Sequence, residues 1–207
     1  MFYIIVLISL SYSLDHSEPY SGEDPAIFYD LYLKCLSNDD ISCAGSNLNS
    51  AIKFDPNNED YKALSFQLKD YIESLNRAQK TLDRELYDEA IRDYSLIIKT
   101  FPDRALSYYK RGEIYRLLDK YTEAIDDFTS ASNINPNNDI YKTAIFSIAQ
   151  RIAKEADEAR SVDDYNTAIP KYIEAISYYP EFTQAYFNLA FSFFKLSDFE
   201  NAEKYLL

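Results

Sequence analysis

From Ala105 to Asn138 the small and apolar positions fall at Tyr108, Gly112, Tyr115, Tyr121, Ala124, Phe128 and Ala131, with Pro136 beyond them. Steps of four and three residues keep such side chains on one stripe of a helix. The stripe breaks once, at the short polar stretch LDKY, and then resumes. Two helices joined by so short a turn lie antiparallel. Gly112 and Ala124 are small where the pair would cross, which lets the helices approach closely, and Pro136 stops the second helix. The pattern therefore predicts one helical hairpin occupying about thirty-four residues.

The same ruler fits elsewhere. Over 25–58 it finds Phe28, Leu31, Cys35, Ile41, Ala44, Leu48, Ala51 and Pro56, but with Tyr32 in place of the small residue. That substitution should push the two helices apart or leave an atypical terminal unit. Over 71–104 it finds Ala78, Tyr87, Ala90, Tyr94, Ile97 and Pro102, and over 149–182 Ala156, Tyr165, Ala168, Tyr172, Ala175 and Pro180. Pro170 lies inside the second helix of that unit, so a kink or a late helix start is expected. An incomplete unit, 183–207, supplies Tyr186, Leu189, Ala190, Phe193, Phe199 and Ala202. Two extra segments, Glu59 to Asp70 and Asp139 to Ile148, lack Gly and Pro and should lengthen the helices that follow, giving long helices at Asp60 to Leu82 and Asp139 to Arg160. DPNNEDYKAL and NPNNDIYKTA, eighty residues apart, open these two segments. The expected fold is all-α, a solenoid of about five antiparallel helix pairs with two lengthened helices over 25–207.

Composition narrows the function. A formal charge of −13 would repel nucleic-acid phosphates and anionic lipid headgroups, so neither is an expected partner. Residues 1–13, MFYIIVLISLSYS, form an apolar run too short to span a bilayer, ending in small residues, and read as a secretory signal. They lack Lys and Arg, so an uncleaved anchor or a mis-assigned start methionine stays open. Residues 14–24 read as a disordered lead-in. The signal places the chain in the endoplasmic reticulum lumen or outside the cell, and without it in the cytoplasm. Cys35 and Cys43 flank a helix–helix turn; a disulfide and a pair of buried thiols are both open, because antiparallel axes about 8–10 Å apart exceed the usual Cα separation of a bridged pair. The single histidine, His16, stands in the lead-in, and no glycine-rich phosphate loop is present. No catalytic residue, cofactor or metal site is expected, and the adjacent pairs Asp126/Asp127 and Asp163/Asp164 read as solvated surface.

The residues of 105–138 closely resemble the tetratricopeptide repeat, with Tyr108, Arg111-Gly112 and Tyr115, then Ala124, Phe128 and Pro136, at its W-x2-L-G-x2-Y…A…F…P places. The resemblance implies a protein-binding solenoid whose first helix in each pair lines a concave groove. Repeats of the carboxylate-clamp type hold acidic chaperone tails with Lys, Asn and Arg at set groove positions, and no register of this chain reproduces them. The groove positions instead carry Tyr29, Leu33, Leu75, Leu106, Tyr109, Phe187, Phe191 and Phe194, the candidate residues for binding an apolar peptide. For the last three the other reading is that a following unit packs on them. Signal, repeats and lengthened helices together are similar to the lumenal tetratricopeptide co-chaperones of the J-protein class. That likeness implies unfolded clients as partners, and a lumenal Hsp70 as a further partner through a J domain, whose His-Pro-Asp is not found in these 207 residues. The alternative is an adaptor, cytosolic or exported, for one specific partner peptide.

Overall fold

The computed structural model describes residues 24–206, so the expected signal and the expected lead-in up to residue 23 lie outside the described residues. Ten helices follow one another: α1 (Pro25–Ser37), α2 (Ile41–Phe54), α3 (Glu59–Asp83), α4 (Tyr87–Thr100), α5 (Ala105–Leu117), α6 (Tyr121–Ile134), α7 (Asp139–Ser161), α8 (Tyr165–Tyr178), α9 (Thr183–Lys195) and α10 (Phe199–Lys204). No strand occurs among the described residues. Both lengthened helices, α3 and α7, form where the uninterrupted apolar spacing places them.

Local chemistry sets the helix ends. Asn58 and Asn138, at matching places in the two PNN stretches, cap α3 and α7 by accepting from the backbone N–H of Tyr61 and of Ile140. Asp24, expected to close the lead-in, caps α1 instead. Every hairpin turn carries one residue in the left-handed region, at the same place in each unit: Asp39, Glu85, Asp119, Asp163 and Ser197, with φ of 57, 58, 56, 61 and 62°. That conformation ends a helix and reverses the chain, a task most often given to glycine. α8 starts at Tyr165 with no delay and runs through Pro170, an exposed residue that cannot supply a helical N–H.

Packing within the hairpins follows one rule of size. In three pairs a small residue of the first helix, Ala78, Gly112 or Ala156, stands opposite a buried ring of the second, Tyr94, Phe128 or Tyr172. An ideal Cβ on Gly112 would stand 2.7 Å from the Phe128 ring, which shows how close the approach is. The first hairpin reverses the sizes. Tyr32 is buried where the others are small, and Leu48 replaces the ring opposite, so the expected separation of α1 and α2 does not arise.

Cys35 and Cys43 are bridged, with Cα atoms 5.6 Å apart. The axis spacing of antiparallel helices does not apply here, because both cysteines sit beside the turn, where α1 and α2 converge. The bridge closes the loop whose apex is Asp39. That carboxylate reaches about a hundred residues along the chain, accepting from Asn135 Nδ2 at 2.8 Å and from the Tyr141 hydroxyl. It thereby ties the first hairpin to the start of α7. One apolar cluster extends from Tyr32 through Tyr71 and Tyr94 to Ile114, and a second from Ala124 and Phe128 through Ile148 and Ile152 to Leu189.

Candidate protein-binding face

The first helices of successive units, α5, α7 and α9, lie side by side. Tyr109 of α5 packs on Tyr141 of α7, and Asn188 of α9 donates to Asp157 of α7 at 2.9 Å. Between α5 and α7 is a cavity of about 480 Å3, lined by Tyr109, Glu113 and Arg116 on one side and Ile140, Thr143 and Ser147 on the other. Arg116 makes two hydrogen bonds to Glu113, at 3.0 and 2.9 Å, so this wall is already internally paired.

Further along, α9 presents an aromatic face. Phe187, Phe191 and Phe194 recur at steps of four and three, and Phe194 meets Phe199 of α10 edge to face at 5.7 Å. Phe187, Phe194 and Phe199 are 57, 55 and 61% exposed. Phe191 sits between two cations, with the Arg160 guanidinium 5.9 Å and the Lys195 ammonium 5.3 Å from its ring centroid. A polar network fixes the floor beneath it. The Tyr172 hydroxyl and Asn188 both donate to Asp157, and Arg160 Nε donates to the Tyr172 oxygen at 3.1 Å. Burial, reinforced by the bond to Asp157, pushes the Tyr172 hydroxyl up to about 12. The phenol therefore stays a neutral donor, and α7, α8 and α9 hold a fixed relation under the exposed rings.

The eight residues expected to bind peptide do not form one surface. Tyr29 is stacked against Tyr32 and Tyr61, and Leu75 packs against the first cluster, so both are used up by the fold. Leu106 is half-buried and Leu33 exposed, on separate helices. Tyr109 packs on Phe128 while lining the cavity. Only Phe187, Phe191 and Phe194 stand together and open, and Phe199, which sequence reasoning left out, completes their patch.

Asp127, read as solvated surface, is in fact 4% exposed. Arg111 holds it through two hydrogen bonds, 2.8 and 2.7 Å, and also donates to Ser95 at 2.8 Å. Burial raises the Asp127 carboxyl above the ordinary carboxylate range while Arg111 draws it back, and the bond to Asp127 raises Arg111. The pair, with Ser95, joins α4, α5 and α6. Asp163 and Asp164 do behave as turn residues, accepting from the Tyr165 hydroxyl and from the Thr167 N–H. No described helix is long and apolar enough to cross a membrane.

Two family models described as tetratricopeptide repeat match the chain, one over residues 105–138 and the other over 153–207. The chain carries tetratricopeptide repeats over these two stretches. Repeats of this kind form protein–protein interaction modules, and proteins built from them are generally not enzymes. No curated protein sequence matches it. Similar solved structures include a MamA protein (22% identity over 90% of both chains, TM-score 0.29) and a tetratricopeptide repeat protein from Parabacteroides merdae ATCC 43184 (17% identity over 89% of this chain and 78% of that one, TM-score 0.33). MamA from Desulfovibrio magneticus RS-1 is 12% identical over 91% of this chain and 93% of that one, with a TM-score of 0.28. These likenesses carry nothing about what this chain binds.

Proposed function

We propose that this chain holds apolar segments of client proteins against the α9–α10 face, as a co-chaperone-like binder of the secretory pathway. The observation that carries the proposal is the contiguous exposure of Phe187, Phe191, Phe194 and Phe199 over a rigid polar floor. Rings left in water at a fixed spacing gain from burial against a partner, at about 25 cal/mol per Å2 of apolar area removed from water. The Cys35–Cys43 bridge supports an oxidising compartment, either the endoplasmic reticulum lumen or the exterior. Coupling to a lumenal Hsp70 would need a J domain in addition to these repeats.

The test is light scattering from a panel of chemically denatured reporter proteins diluted into buffer with the full chain. The wild type retards their aggregation, and a Phe187→Ser/Phe191→Ser variant of unchanged helicity does not. Equal retardation by both proteins would remove the face from the account. An adaptor for one partner is the second reading, favoured by the way Tyr141 of α7 covers Tyr109 of α5 as one defined helical contact; such an adaptor ignores the panel.

A further inference from the structure

Helix α3 packs on the rest of the chain along a single stripe. Leu64, Leu68, Tyr71, Leu75, Ala78 and Leu82 all belong to the first apolar cluster and follow one another at steps of four and three. Gly45 of α2 faces Leu68, while Thr81 donates to Asp93 of α4, so the first hairpin and α4 lie one beyond the other along α3. The opposite stripe carries Phe66, Asp70, Glu73, Arg77, Lys80 and, at the C-cap, Arg84, again at steps of four and three. All six are exposed, Phe66 at 75%. Among the described residues Asp70, Arg77, Lys80 and Arg84 enter no ion pair, and Glu73 has only a contact with Lys69 at 3.9 Å. A merely solvated face has no reason to sort its charges. Here they are sorted along the helix: a ring, two carboxylates, then three cations.

That order is complementary to itself when reversed. Turned end over end against a copy, with the two-fold axis at the level of Leu75, the stripe sets Phe66 opposite Arg84, Asp70 opposite Lys80 and Glu73 opposite Arg77. Each pair then occurs twice, as a two-fold interface requires. The alternating four-and-three spacing is also the seam along which two helices pack side by side. We infer that α3 pairs antiparallel with α3 of a second copy of this chain through this stripe. Four carboxylate–cation pairs and two arginine–phenylalanine stacks form together, over about 27 Å of helix. Each copy carries a formal charge of −13, yet no level of this seam sets like charges against each other. The interface lies on a different helix from the α9–α10 face and does not depend on the client-binding reading.

The test is sedimentation velocity of the full chain over a range of concentrations, at low and at high salt. A dimer is expected, and it should weaken at least tenfold at high salt, because exposed ion pairs are screened. Arg77→Glu and Glu73→Arg each set like charges opposite one another across the axis, and each alone should weaken the dimer at least tenfold. Together they restore the pairs with signs exchanged, and the dimer should return. Both side chains are exposed, so the variants keep their fold, checked by circular dichroism. Carbodiimide coupling reads the register directly. Asp70 and Lys80 stand ten residues apart on one helix, about 15 Å, so an amide between them, found by mass spectrometry, joins two copies. A monomer under every condition, a dimer indifferent to Arg77→Glu, or a double variant as weak as the single ones would overturn the inference. So would a dimer that Phe187→Ala disperses and that gives no Asp70–Lys80 cross-link.

Discussion

Gly112 and Gly45 both lie inside helices, α5 and α2, yet alanine at the two positions should act in opposite directions. Alanine is favoured over glycine in a helix interior by about 1 kcal/mol. At Gly45 a new Cβ meets Leu68 Cδ2 at 3.9 Å, an ordinary van der Waals contact, so most of that gain should appear. At Gly112 it would lie 2.7 and 2.9 Å from two atoms of the Phe128 ring and 3.2 Å from the Ala124 carbonyl oxygen. Phe128 has no exposed surface and the oxygen belongs to the α6 backbone, so neither can yield cheaply. Overpacking of this kind costs about 1–3 kcal/mol, which leaves Gly112→Ala destabilised by up to about 2 kcal/mol after the propensity gain. For a chain of this size that is a fall of up to roughly 4–8 °C in Tm, while Gly45→Ala rises by roughly 2–4 °C. Urea and thermal unfolding followed by circular dichroism read both. The double variant Gly112→Ala/Phe128→Leu copies the Tyr32/Leu48 solution of the first hairpin and should recover part of the loss. A rise in stability for Gly112→Ala, or shifts of one sign at both glycines, would refute the size rule for the hairpin crossings.

Three other outcomes follow from the same geometry. Burial pushes the Tyr71, Tyr94 and Tyr172 hydroxyls up to about 12 from 10.0, so in the unfolded chain they lose protons first. Their contribution to stability is whole below about pH 10 and is lost as pH rises toward 12, at up to about 1.4 kcal/mol per pH unit for each group, so phenolate absorbance and loss of helicity should rise together. Glu85→Gly relieves a bulky residue of its left-handed conformation at φ 58° and should stabilise the chain by about 1 kcal/mol in urea unfolding. Reducing the Cys35–Cys43 bridge releases a short loop whose closure is worth about 2.5 kcal/mol on the chain-entropy account, and hydrogen exchange should quicken first in α1 and α2, since Asp39 ties that loop to Tyr141.

Much of the fold was legible because small residues and rings recur at fixed places, and because the two PNN stretches announce the lengthened helices with their own caps. The size reversal at Tyr32 was harder to read, since the compensation stands sixteen residues away at Leu48 on another helix. Asp127 misled for a related reason. Adjacent aspartates look solvated along a single helix, and only the folded hairpin brings Arg111 and Ser95 around one of them. The bridge was obscured by reasoning from helix axes where the relevant geometry was that of the turn. In the candidate site, groove register alone could not separate rings that the fold consumes, such as Tyr29, from rings it leaves open. The separation lies in what the next helix carries at its third residue, Tyr61 over Tyr29 and no ring over Phe187 among the described residues.

Hydrogen exchange of the full chain with and without a bound, chemically denatured reporter measures most directly where a partner is held. Protection gained in Thr183–Lys195 and Phe199–Lys204, and abolished by Phe187→Ser/Phe191→Ser, is the predicted result. Protection gained only in α1 to α4, or unchanged exchange throughout α9 and α10 while the reporter stays bound, would contradict the assignment of this face.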